Sequence, residues 1–306
     1  MIKNRILIVG GAGFLGFNLI KKINKNKNFK IDTIVKKSVK KNKKIKNVNY
    51  INCDISNLKS LKKNLEKSEY SIVINLSGNI DHNNHIETKK VHFVGLKNLV
   101  NIFKKKHLKL FIQIGSCLEY GKKNSPQSES SICNPISSYG KSKYMASQYL
   151  RKFNKNYLIL RPYQIYGPFQ KDDRLIPFII KSCIKNKSFP CSEGSQLRDF
   201  LYIDDFTNLI IKIIKRKKYI YGNFNVGFGR PTKVKNVIGL ITKIIKKGTA
   251  NFGRLKMRKD EIYKLYPSIK KVKKTFKWKP KTNLKNGIKK TINFYKNETK
   301  FSQYYN

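Results

Sequence analysis

An α/β fold built on a doubly wound parallel sheet is what this chain predicts, and three observations predict it. Residues 6–9 form a short apolar run that leads straight into Gly10-Gly11-Ala12-Gly13-Phe14-Leu15-Gly16 and then into a helical pattern. Strand-like and helix-like segments alternate through the first half of the chain. At 306 residues it is long enough to bury a substantial core, in one large or two interlocked domains.

The first strand and its turn organise the rest. A buried strand, a glycine turn and a helix N-terminus together make a phosphate site, because the helix start offers unpaired N–H groups and a partial positive charge. Glycine lets a pyrophosphate approach the backbone closely. The glycines at 10, 13 and 16 follow G-x-x-G-x-x-G, and their place between strand and helix points to a dinucleotide, bound by Gly10, Gly13, Phe14, Leu15 and Gly16.

Further strands are expected at 30–35, 50–53, 71–76, 108–114 and 157–160, with helices near 58–67, 85–106 and 137–153. After Gly167-Pro168 the alternation fades: helical patterns at 175–187, 204–216 and 234–246 are interspersed with loops, and 223–226 reads as one more strand. Trp278-Lys279-Pro280 precedes a last amphipathic helix at about 284–295. This gives a Rossmann-like dinucleotide-binding part at 1–168 and a smaller, interleaved α/β part at 169–306, mainly substrate-binding, with about 204–227 returning to the first.

The end of the second strand bears on the cofactor's identity. An acidic residue there would hydrogen-bond the ribose of NAD, whereas a basic one suits the 2′-phosphate of NADP. Val35 is followed by Lys36 and Lys37, and Asp32 sits too early in the strand, so NADP is preferred to NAD, with Lys36 as its ligand. Asp54 and Ile55, just after the third strand, are placed to meet the adenine; the alternative for Asp54 is to cap the helix that follows.

Composition removes several classes of function. The 67 Lys+Arg against 17 Asp+Glu give a formal charge of +50, but the excess is mostly Lys, spread along the whole chain and mixed with Asn and Ile. That is a compositional bias rather than a clustered basic face, so no specific nucleic-acid partner is expected. The positive field would still attract an anionic cofactor and substrate. Five scattered cysteines without C-x-x-C pairing suggest a reducing compartment, with neither a disulfide framework nor a zinc site. No stretch is apolar and long enough to span a bilayer, and no cleavage site follows the first apolar segment, so the expectation is a cytoplasmic protein without a membrane partner. His82 and His85 lack a third ligand nearby, so no metal is expected.

The sharpest constellation lies between the fifth strand and the next helix. Ser116 follows Ile114-Gly115 at the carboxyl end of a strand, where open α/β sheets place ligands. Tyr139 and Lys143 are four apart at the start of a helix and share one face. A lysine ammonium beside the phenol would favour phenolate, lowering a tyrosine pKa from about 10 toward working pH. Such a tyrosine can exchange a proton with a sugar hydroxyl while hydride moves to or from nicotinamide, and Ser116 could hydrogen-bond the same oxygen. Cys117 reads as a wall residue rather than a nucleophile, since no histidine base is near it in sequence.

These residues resemble, over essentially the whole length, the extended short-chain dehydrogenases/reductases of the NAD-dependent epimerase/dehydratase family, which act on nucleotide sugars. The resemblance rests on residues 10–16, on Ser116-Cys117-Leu118-Glu119-Tyr120-Gly121, on Tyr139 with Lys143, on Leu160-Arg161-Pro162-Tyr163-Gln164-Ile165-Tyr166-Gly167-Pro168, on Arg198-Asp199-Phe200-Leu201-Tyr202-Ile203-Asp204-Asp205, and on Trp278-Lys279-Pro280. It implies that Ser116, Tyr139 and Lys143 are catalytic and that Arg198, with Arg258 as a second ligand, holds the sugar-nucleotide diphosphate. It also implies a homodimer built through the helices at 85–106 and 137–153.

The departures narrow the activity. Family 4,6-dehydratases carry Thr-Asp-Glu where this chain has Ser116, Cys117 and Leu118, so the acidic pair for elimination is missing. Gln164 stands where an asparagine that contacts substrate is usual, and His92 where another asparagine is usual. The Ser-Cys-Leu-Glu-Tyr-Gly form and the basic residues after the second strand look more like members that reduce a 4-keto sugar nucleotide with NADPH. The expectation is therefore 4-keto reduction of a nucleotide-linked, 6-deoxy hexose. The alternatives are an NAD-dependent 4-epimerase and, from a different class, a noncatalytic dinucleotide- or polyanion-binding protein.

Overall fold

The first strand, β1 (Asn4–Val9), is an inner strand of a seven-stranded sheet in the computed structural model of the chain, which describes residues 4–26, 28–79, 84–153, 156–257 and 261–302. There follow α1 (Phe14–Ile23), β2 (Phe29–Val35), β3 (Val48–Asn52), α2 (Leu58–Leu65) and β4 (Ile72–Asn75). Then come α3 (His85–Lys89), α4 (Gly95–Phe103), β5 (Leu110–Ile114), α5 (Ser138–Phe153) and β6 (Tyr157–Pro162). The later chain adds β7 (Gln164–Tyr166), α6 (Leu175–Ile184), β8 (Ser188–Pro190), β9 (Leu197–Tyr202), α7 (Ile203–Ile214) and β10 (Gly222–Val226). It ends with β11 (Pro231–Lys233), α8 (Val234–Ile245), β12 (Thr249–Asn251), β13 (Lys264–Leu265), α9 (Lys270–Phe276) and α10 (Leu284–Ser302).

The main sheet runs β10-β6-β5-β4-β1-β2-β3, with every pairing parallel. Both faces of such a sheet are covered, which explains why β4 and β5 are buried throughout and why their sequences are nearly continuous apolar runs. The fold is thus the doubly wound one the alternation predicts. Strand order reverses between β1 and β4, and the turns leaving these strands and β5 frame the crevice at their carboxyl ends.

One charge inside the sheet is neutralised locally. Asp32 in β2 is fully buried and accepts hydrogen bonds from Arg5 Nε (3.0 Å) and from the Tyr70 hydroxyl (2.6 Å). This carboxylate is structural, as its early place in the strand suggests.

The chain divides into two compact units. The first comprises Met1–Lys123, Glu129–Pro162 and Thr207–Val226; the second comprises Asn124–Ser128, Tyr163–Phe206 and Gly227–Asn306. The division at Pro162 differs from the cut at 168 read from sequence, because β7 pairs not with the main sheet but with β9. The return read at about 204–227 corresponds to Thr207–Val226, whose strand β10 pairs with β6.

In the second unit β9 is the organising strand, flanked by β11 antiparallel and by β7 and β13 in parallel. Asp199 in β9 is fully buried and accepts from the main-chain N–H groups of Phe228 (2.6 Å), Gly229 (2.6 Å) and Arg230 (3.2 Å), which fixes the turn into β11. These strands are two to six residues long. Segments that short carry little periodicity, so sequence reading finds them as loops.

The pattern at 85–106 predicts one helix, and the structure interrupts it. Lys90–Val94 form a π-helical turn between α3 and α4. It coincides with a close packing point: a side chain on Gly95 would come within 2.5 Å of Ile55. The same turn carries His92, which is only 2 % exposed. Such turns commonly mark functional positions.

Candidate active site

The glycine turn has the shape its residues predict. Gly10 lies in the left-handed region, with φ +85, and its N–H donates to Ile34 O at 2.9 Å. A side chain at Gly16 would come within 2.3 Å of Gly10 O, so glycine there lets α1 press onto the turn. Gly13 is the N-cap of α1 and supplies no capping side chain, and the helix's first turn holds no acidic residue. The helix's own first turn therefore supplies no competing carboxylate, and its N–H groups and positive end are a donor set that fits a dinucleotide pyrophosphate. Phe14 and Leu15, both half-buried, open the helix.

At the carboxyl end of β2 the outcome differs from expectation. The Lys36 ammonium is held by two carboxylates, Glu87 Oε1 at 2.6 Å and Asp54 Oδ2 at 3.1 Å. These bonds raise its pKa above the ordinary lysine value. Asp54 also accepts from Ser56 N (2.9 Å) and Ser56 Oγ (2.7 Å). Partial burial pushes the Asp54 carboxyl up, but those bonds and the Lys36 ammonium outweigh it and hold it below the usual range. Asp54 is not the helix cap, since Asn57 caps α2 by accepting from Ser60 N at 3.0 Å. The Ile55 side chain is buried against Gly95, leaving only its main chain for a ligand.

Ser116, Tyr139 and Lys143 come from two places in sequence and gather in the first unit. Ser116, two residues past β5, has extended backbone and caps a short turn, Cys117–Glu119. Its N–H donates to Glu119 Oε1 at 2.8 Å, and its Oγ accepts from Leu118 N at 3.1 Å. Lys143, 3 % exposed, donates from Nζ to Ile114 O at 2.9 Å, two residues before Ser116. The same ammonium lies 5.9 Å from the centre of the Tyr139 ring. Burial drives the Lys143 pKa down to about 8, partly opposed by the Glu119 carboxylate. A phenol near an ammonium can exchange a proton with a bound hydroxyl.

Beneath these residues lies a pair that sequence reading did not assign. Arg161 Nε and Nη2 donate to Glu119 Oε2 at 3.1 and 2.8 Å, with both side chains essentially solvent-free. Arg161 also covers the Tyr120 ring at 4.6 Å. The spacing Ser116-x-x-Glu119 is a capping box and could have revealed the first half of this arrangement. A charged residue directly after the apolar run Leu158-Ile159-Leu160, still within the strand, could have revealed the second.

The substrate residues expected from the resemblance fall in the second unit. Gln164 is exposed on β7, opposite Phe200 of β9. Arg198, 6 % exposed, donates from Nη1 to Leu197 O at 2.8 Å and from Nη2 to Glu261 Oε1. Arg258 lies outside the described residues. So does His82, and among the described residues no cluster of three metal-ligating side chains occurs.

Comparison with known proteins decides the family. Residues 6–227 match the model of the NAD dependent epimerase/dehydratase family. The chain belongs to this family. A protein of Methanocaldococcus jannaschii provisionally named a UDP-glucose 4-epimerase is 30 % identical, over 96 % of this chain and 99 % of its own length. A UDP-glucuronate 4-epimerase of Thermodesulfobacterium geofontis is 26 % identical over 95 % of each chain. Among solved structures, the UDP-glucuronic acid 4-epimerase of Bacillus cereus, in complex with UDP-glucuronic acid and NAD, superposes with a TM-score of 0.86 at 25 % identity, covering 96 % of this chain and 99 % of that one. In this NAD-dependent epimerase/dehydratase chain no described helix is long and apolar enough to cross a membrane. The preference for NADP read from Lys36 finds no counterpart: the ammonium is already paired, and the B. cereus enzyme holds NAD.

Proposed function

We propose that the chain is an NAD-dependent 4-epimerase acting on a UDP-linked hexose or hexuronate. What carries the reading is the gathering of Ser116, Tyr139 and Lys143 at the end of β5, with Cys117 and Leu118 in place of the acids that elimination needs. The similarity to 4-epimerases along almost the whole chain supports it over 4-keto reduction. Lys36, committed to Asp54 and Glu87, weakens one of the two observations that favoured NADPH.

In this reading Gly10, Gly13, Phe14, Leu15, Gly16 and Lys143 hold the cofactor, with Asp54 and Ile55 at its adenosine end. NAD bound there supplies a reversible hydride acceptor. Tyr139, as phenolate, takes the proton of the sugar C4 hydroxyl and later returns it. Lys143 favours the phenolate by its charge, and Ser116 Oγ donates to the same substrate oxygen, holding it near the phenol. Arg198 and Arg258 carry the diphosphate, and Gln164 borders the sugar.

The test is incubation of purified protein with UDP-glucose and UDP-glucuronate, followed by NMR of the sugar. Appearance of the C4 epimer without net change in NAD supports the reading. Inertness toward both, with stoichiometric NADPH consumption on a 4-keto sugar nucleotide, would replace it with the reductase. The Tyr139→Phe variant loses about 10²–10⁴-fold in kcat while keeping NAD.

A further inference from the structure

Resting on that reading of Tyr139, we propose that His92 is the positioning residue that sets the Tyr139 ring for proton transfer. His92 belongs to the π-helical turn Lys90–Val94, and its imidazole is turned fully inward. Its Nε2 meets the main chain leaving β4, 2.9 Å from Asn79 O and 3.3 Å from Asn79 N. The ring meets Tyr139 edge-on, with centroids 5.0 Å apart and planes at 80°. A side chain on Gly78 would come within 3.1 Å of His92 Cε1, so the strand exit is moulded to this ring.

The imidazole therefore does two jobs at once. Its nitrogen ties it to the backbone at the reversal of strand order, and its ring supports a phenol that also lies near the Lys143 ammonium. An asparagine at 92 keeps the polar tie but offers no ring for Tyr139; a phenylalanine keeps the ring but loses the tie. Histidine is the residue that meets both demands. It touches Tyr139 rather than the reacting atoms, so it acts through orientation.

The experiment compares His92→Asn and His92→Phe with the parent chain, measuring kcat, KM, NAD retained through purification, melting temperature and the solvent deuterium isotope effect on kcat. The expected result is a kcat lower by about 10- to 100-fold in both variants, with KM and NAD content within about twofold. The isotope effect rises in both, because a misaligned phenol makes proton transfer slower relative to the other steps. The proposal is overturned if either variant keeps kcat within about twofold of the parent. It is also overturned if kcat falls only together with NAD content and melting temperature, which marks a purely structural histidine. Full activity of Tyr139→Phe would instead sink the reading of Tyr139 itself, and the two failures are distinguishable.

Discussion

Lys143 Nζ donates to the main-chain oxygen of Ile114 at 2.9 Å, inside the protein and two residues before Ser116. Burial lowers its pKa to about 8, so its proton is lost within an accessible range. The proposed mechanism needs the ammonium beside Tyr139, so on that mechanism kcat should fall above about pH 8. Stability runs the other way. The folded chain releases this proton before the unfolded one, whose lysine titrates near the ordinary 10.5, so this group's contribution to stability rises from about pH 8 to 10.5. A kcat profile flat to pH 10 would show that the proton on Lys143 is not needed.

Glu119 and Arg161 form an ion pair closed to solvent, and Glu119 also accepts the Ser116 N–H. Removing one partner of such a pair leaves an uncompensated buried charge, at a cost of about 3–5 kcal/mol. Glu119→Ala should lose stability on that scale in urea unfolding, and kcat with it, since Ser116 loses its anchor. Glu119→Gln keeps an acceptor for Ser116 N and should lose less. Equal losses in the two variants would mean that the carboxylate's charge alone matters.

Much of this site was legible because its parts are local. The glycine turn needs residues at 10, 13 and 16, and Tyr139 with Lys143 need one helical turn; both are spacings a sequence displays. What escaped depends on partners far apart in the chain. Lys36 reads as a phosphate ligand until Glu87, on α3, is folded against it, and Arg161 reads as part of a strand until Glu119 lies beneath it. The π-helical turn escaped because it keeps the apolar pattern of 85–106 while adding a residue to one turn, which no periodicity reveals.

The setting of Lys36 makes a prediction about the cofactor. Two carboxylates face one ammonium at the end of β2, so a 2′-phosphate would enter a locally negative site. Protein stripped of cofactor should bind NAD more tightly than NADP in titration calorimetry. Glu87→Gln releases one acidic partner of Lys36 and should raise NADP affinity severalfold while leaving NAD nearly unchanged. Tighter binding of NADP by the parent chain would mean that Lys36 abandons its carboxylates for the phosphate.

Two helical glycines test whether close approach, rather than conformational freedom, fixes the turn. Neither Gly16 in α1 nor Gly239 in α8 lies in the left-handed region, so alanine suits the backbone of both. Their surroundings are opposite. An alanine methyl at 16 would lie 2.3 Å from Gly10 O and 2.7 Å from Gly11 Cα, backbone atoms with no side-chain freedom to move aside, whereas nothing lies within 4 Å at 239. Gly239→Ala should therefore stabilise the protein by about 0.5–1 kcal/mol, the helix-propensity difference. Gly16→Ala should push α1 off the turn, lowering stability by about 1–3 kcal/mol and weakening NAD binding more than tenfold. Thermal melts and NAD titrations on the two variants check both signs. If Gly16→Ala binds NAD normally, the pyrophosphate does not sit on the first turn of α1, and the dinucleotide site must be sought elsewhere in the unit.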